Sequence, residues 1–140
     1  MQDINDKRIL VIAADRKNGR IFTIFLGNFE DEGRVIKDSV VPQKIKDDNA
    51  RQGKVDRHVR NHLHKHLRLV IDEAEKYVSK NKLLINAVVI GGHKELLSEI
   101  RSCLPPHLKR IVAGELVCEP DAPLGEITEK VKQNFQLFLR

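Results

Sequence analysis

The chain changes character at Arg8. Residues Arg8 to Ala14 (RILVIAA) form a continuous apolar run, the pattern of a central strand buried on both faces. Arg16-Lys17-Asn18-Gly19 follows, and Asn-Gly is a strong hairpin signal. Ile21 to Leu26 (IFTIFL), β-branched and aromatic, reads as the returning strand. Glu30-Asp31-Glu32-Gly33 marks a second turn. Arg34 to Val41 then alternates, with Val35, Lys37 and Ser39 opposed to Ile36, Asp38 and Val40, as on an outer strand. Three antiparallel strands are thus expected to open the chain.

The period then shifts. Pro42 to Gly53 is polar and without usable periodicity, long for a connector inside a compact domain, and such segments are often functional. A long helix is expected from about Lys54 to Lys80. Its stripe is Val59, Leu63, Leu67, Val70, Ile71, Ala74, Tyr77 and Val78, at three- and four-residue steps. Leu83 to Ile90 reads as a buried strand ended by Gly91-Gly92. His93 to Cys103 reads as a short helix with Leu96, Leu97 and Ile100 inward, stopped by Pro105-Pro106. Arg110 to Cys118 is a fifth strand. Asp121 can cap a last helix facing the core with Leu124, Ile127, Val131, Phe135 and Phe138.

The order is therefore β-β-β-α-β-α-β-α. A meander followed by right-handed crossovers gives an α/β domain with a five-stranded mixed sheet flanked by helices. The ribonuclease H-like fold has this order; the spatial order of its strands comes with that analogy and not from the residues.

The chain has 140 residues, suited to one domain over 1–140, with 41% hydrophobic and 32% charged residues as in ordinary globular proteins. No apolar run reaches the ~18–20 residues of a membrane span. The polar start MQDINDKRIL offers no signal-peptide core. Cys103 and Cys118 cannot make a disulfide framework, so a reduced, cytoplasmic chain is expected. The net charge of +5 suggests an anionic partner such as nucleic acid. The excess is concentrated at Lys44, Lys46, Arg51, Lys54, Arg57, Arg60, Lys65 and Arg68, against only Asp47, Asp48 and Asp56 in that stretch. Aromatic residues, at 4%, are too few for a base-stacking platform.

Four arrangements bear on chemistry. A metal-dependent nuclease needs several carboxylates converging on divalent ions. Asp15 ends the first strand, and Asp56, Asp72, Glu73, Glu75, Asp121 and Glu126 are elsewhere, but the fourth strand ends in Ile90-Gly91-Gly92-His93 without an acid. His58, His62 and His66 are four apart on one side of the long helix, a spacing that can chelate zinc or copper. No cysteine or internal glutamate accompanies them, and a polar flank beside the stripe is the simpler assignment. Gly91-Gly92 could admit an anion onto free amides, although close strand–helix packing explains the pair as well. Finally, KIKDDNARQGKVDRHVRNHLHKHLR combines a flexible polar loop with a basic helix start whose charges oppose the helix dipole, an arrangement suited to a phosphate backbone.

Three stretches carry a resemblance: GKVDRHVRNHLHKHLRLVIDEAEKYV, AVVIGGHKELLSEIRSCLP and PPHLKRIVAGELVCEPDAPLGEI. With the opening hairpin they resemble the central domain of the archaeal and eukaryotic class I peptide release factors and of Pelota, closest to its short bacterial relatives. In release factors the loop before the long helix carries Gly-Gly-Gln, which positions water against the peptidyl-tRNA ester. The matching place reads Ala50-Arg51-Gln52-Gly53, so the motif is absent, and only Gln52 stands near the catalytic position. The resemblance implies a cytoplasmic, ribosome- or RNA-associated protein of translation that uses the Lys44–Arg68 segment, without a cofactor, without a membrane and leaning away from enzymatic activity. The alternatives are a hydrolase, acting on peptidyl-tRNA through Gln52 or on nucleic acid through metal, and a protein-interaction module. A protein partner, or flanking domains outside this chain, fits the same resemblance.

Overall fold

The computed structural model describes residues 7–25, 28–37 and 52–138, with side chains over 7–25, 28–37 and 62–134. Its strands are β1 (Ile9–Ala14), β2 (Asn18–Phe25), β3 (Asn28–Phe29), β4 (Arg34–Lys37), β5 (Ala87–Gly92) and β6 (Val112–Val117). Its helices are α1 (Gln52–Lys80), α2 (Leu97–Cys103), α3 (Pro106–Lys109) and α4 (Leu124–Phe138). The six-stranded sheet runs β3-β2-β1-β5-β6, and β4 also pairs with β2. β1 is antiparallel to β2 and parallel to β5, and β5 is parallel to β6. The expected α/β architecture is therefore present; the sixth strand is the two-residue β3, which pairs Phe29 with Ile24.

Because side chains alternate across a pleated sheet, the two faces carry separate cores. Leu10, Ile12, Ile21, Ile36, Val88 and Ile90 pack against α1, α2 and α3. Ile9, Val11, Phe22, Ile24 and Val89 pack against Leu124, Ile127 and Val131 of α4. The α1 stripe is confirmed where its side chains are described: Leu67, Val70, Ile71, Ala74 and Tyr77 are buried, and Leu63 and Val78 pack beside them. The side chains of Val59, Phe135 and Phe138 lie outside the described residues.

Several boundaries differ from the sequence reading, each for a local reason. The first hairpin turns at Asp15 rather than at Asn18-Gly19. The Asp15 carboxylate accepts the Lys17 and Asn18 amides, so the turn closes early and Asn18 and Gly19 enter β2. β5 begins at Ala87 because the preceding residues finish α1. The Leu83 amide donates to the Val78 carbonyl at 3.0 Å and the Lys82 amide to the Ser79 carbonyl at 3.2 Å. This is a Schellman cap with Lys82 at φ 52° in the position usually held by glycine. Gly91 and Gly92 lie inside β5, in register with Ala13 and Ala14. The helix after β5 opens with a 3-10 turn, Lys94–Leu96, before α2. Pro105-Pro106 ends α2 and immediately starts α3, with proline in the first turn where no amide is needed. The last helix turns at Pro123, whose carbonyl accepts the Glu126 and Ile127 amides, while Asp121 stays exposed upstream. β6 is shorter than expected and bulges at Ala113, since Val88 pairs with Val112 and Val89 with Gly114.

Candidate nucleic-acid interface

α1 sets the geometry of the basic segment. At 29 residues it is ~43 Å long, while the six-residue β1 spans ~20 Å. Among the residues whose side chains are described, its packed positions run from Leu63 to Val78; the side chains of residues 52–61 lie outside the described residues. The helix starts at Gln52, two residues before the expected Lys54. Gln52 and Gly53 are thus helical in backbone, and glycine is tolerable there because first-turn amides lack intrahelical partners. No acidic residue occurs in that turn.

Of the basic residues singled out above, Lys65 and Arg68 are exposed, on the side of α1 facing away from the Leu67–Ile71 contact with the sheet. Lys54, Arg57 and Arg60 belong to the same helix, with side chains outside the described residues. Lys44, Lys46 and Arg51 lie outside the described residues, as does most of the polar segment Pro42–Gly53, namely 42–51.

The histidines divide. The side chain of His58 lies outside the described residues. His62 is half-buried. His66 is not on a polar flank: it is 4% exposed, and its Nε2–H donates to the Asn18 carbonyl at 3.2 Å. A carbonyl can only accept, so the hydrogen bond fixes the donor nitrogen. The other ring nitrogen, Nδ1, is buried without a hydrogen-bond partner. His64 points elsewhere, its Nε2 lying 3.0 Å from Glu99 Oε2 and linking α1 to α2. Among the described residues, no three of His, Cys, Asp and Glu converge in a metal-holding arrangement.

At the carboxyl ends of β1 and β5 the other candidates are accounted for by packing and turn geometry. Asp15 spends its carboxylate on its own turn. A side chain at Gly91 would place Cβ 2.7 Å from Cys118 Sγ, and Gly92 holds φ 151° beside the Ala14 carbonyl. The glycine pair therefore serves close strand packing. Cys118 is buried, and desolvation pushes its thiol up to about 11, the opposite of activation. Sequence reasoning missed the neighbouring pair His93–Glu119, with Nε2 3.0 and 3.1 Å from the two carboxylate oxygens. That hydrogen bond raises the His93 pKa, with Glu95 and Asp15 adding smaller attractions. It joins residues far apart in sequence, and no local pattern announces it.

Comparison with known proteins bears on this arrangement. No curated protein matches the chain. Among solved structures it is similar to the archaeal translation termination factor aRF1, with TM-score 0.63 and 17% identity over 98% of this chain and 38% of that one. A second structure, titled only as an archaeal protein, gives TM-score 0.63 and 17% identity over 94% of this chain and 36% of that one. The chain thus spans little more than a third of either protein, and the likeness is one of fold. The family model of bacterial archaeo-eukaryotic release factor family 10 matches residues 4–136, and the chain belongs to that family.

Proposed function

We propose that this domain works in translation by binding the ribosome or ribosomal RNA through the segment Lys44–Arg68, without hydrolysing peptidyl-tRNA. The observation that carries this reading is α1 itself. Between Gln52 and Arg68 the helix holds Lys54, Arg57, Arg60, Lys65 and Arg68 against Asp56 alone, and of these Lys65 and Arg68 are exposed beside positions that pack on the sheet. Membership of a release-factor family supports a role in translation. Arg51-Gln52-Gly53 in place of Gly-Gly-Gln supports binding without release chemistry, because Arg51 cannot give the close backbone approach that glycine allows.

Sedimentation with ribosomes on a gradient tests the proposal. Binding should weaken steeply with salt, with a log–log slope of about −0.7 to −0.9 per phosphate neutralised. Changing Arg51, Lys54, Arg57 and Arg60 together to glutamate should abolish co-sedimentation and leave the fold intact. Gln52→Ala separates the readings. A binding protein keeps its affinity in that variant. Peptide release from programmed ribosomes that disappears with Gln52→Ala would establish a hydrolase instead. Salt-independent behaviour with no ribosome association would point to a protein-interaction module.

A further inference from the structure

At the other end of α1 the fold leaves a cavity of about 460 Å³ between α1, α3 and the start of the sheet. This lies within the ~300–1,000 Å³ range typical of small-molecule sites. Its walls are aliphatic: Leu10, Val78, Ile85, Leu108 and Ile111. Its polar groups gather on the helical rim. Glu75 and Ser79 are four apart on α1, hence on one face of the helix, and His107 approaches from α3. The rim pair is loose. His107 Nε2 stands 3.6 Å from Glu75 Oε2, beyond hydrogen-bond reach, whereas the comparable His64–Glu99 and His93–Glu119 pairs close to 3.0 Å. Glu75 is the one lining residue whose side chain is a carboxylate, and its partner holds it weakly.

We infer that this cavity binds a small amphipathic amine, with an aromatic or aliphatic body against Val78, Ile85 and Ile111 and an ammonium group between the Glu75 carboxylate and the Ser79 hydroxyl. An ammonium supplies only donors, matching two acceptors on one rim. It would take the place that His107 fills poorly, and a charge-assisted hydrogen bond would replace a long contact. The site is separate from the basic segment and does not depend on the ribosome reading.

Tryptamine is the probe, with indole-3-propionic acid and 3-ethylindole as anionic and neutral counterparts of similar size. Titration into methyl-labelled protein, followed by NMR, should give saturable shifts confined to Leu10, Val78, Ile85, Leu108 and Ile111, with affinity about millimolar for a ligand of this size. The acid and the neutral indole should bind at least about tenfold more weakly, and Glu75→Gln should weaken tryptamine by about the same factor. Ile111→Trp, which fills the cavity, should abolish the shifts. If either variant fails to fold, the ranking of the three probes on the unaltered chain decides. Equal binding of all three, tighter binding of the acid, or no saturable shift at these methyls would overturn the inference.

Discussion

Tyr77→Phe removes one oxygen from a buried position and probes how α1 is fastened to the β3–β4 turn. The Tyr77 hydroxyl donates to Asp31 Oδ1 at 2.6 Å, and the ring is buried among the core residues under α1. Burial first, and this hydrogen bond second, push the phenol from 10.0 up to about 12. A raised pKa means that the folded state favours the neutral phenol, so its contribution is complete below pH ~10 and disappears as pH climbs through the folded value. For values of 10 unfolded and about 12 folded, the stability lost between pH 9 and pH 11 is ~1.3 kcal/mol at ~1.4 kcal/mol per tenfold change. Phenylalanine has no proton to lose. Urea melts of both proteins at pH 9 and 11 should therefore converge as pH rises, because lysine deprotonation is common to both. At pH 9 the variant should be less stable by ~1 kcal/mol, the net worth of one hydrogen bond, since the exposed Asp31 can rehydrate. A stability gap that is the same at pH 9 and pH 11 would refute the burial argument.

Three further outcomes follow from individual contacts. Leu67→Ala should cost ~2–5 kcal/mol in a urea melt, because Leu67 is 1% exposed at the centre of the α1–sheet contact. Lys82→Gly should stabilise the protein by up to ~1 kcal/mol by relieving a non-glycine residue from the left-handed region, partly offset by unfolded-state entropy; a lower urea midpoint would contradict the assigned cap. His93 should titrate above 6.5 in an NMR experiment and move down toward that value in Glu119→Gln. Its contribution is complete below pH ~6.5 and fades as pH rises through the folded value, so an unchanged midpoint in the variant would remove the pair from the argument.

The elements that periodicity predicted well were those whose partners are generic. β1 had to be apolar throughout because it is central and covered on both faces, and all six of its residues are buried. The α1 stripe likewise needed only an apolar sheet to meet. What the residues did not disclose depends on specific encounters. Asn18-Gly19 is a correct signal for a hairpin but not for the turning residues. Gly19 is needed in β2 because a Cβ there would stand 2.6 Å from Val70 Cγ2, and Asp15 can close the turn by itself. His66 could be read as polar flank or core only after the Asn18 carbonyl was found to be its acceptor. Glu75 and His107 meet across the cavity rim from α1 and α3, and His93 meets Glu119 from the far ends of β5 and β6. Each pair is distant in sequence, and no local spacing reports such contacts.

α1 also explains how a single element can carry two independent demands. From Leu63 to Val78 its composition is constrained by packing: Gly19 lies against Val70, and Tyr77 is tied to Asp31. Basic residues survive there only on the outward side, as Lys65 and Arg68 do. N-terminal to Leu63 the sequence of the helix carries Lys54, Arg57 and Arg60, basic charge that opposes the helix dipole at a small cost. A continuous helix transmits position without needing a hinge, so the core residues determine where the basic end stands. Under the proposed function, substitutions that weaken the Leu67–Ile71 contact should impair ribosome association in proportion to the folded fraction lost, whereas charge reversals before Leu63 should impair it at full stability. The two classes of variant are separable by measuring melting midpoint and co-sedimentation on the same samples.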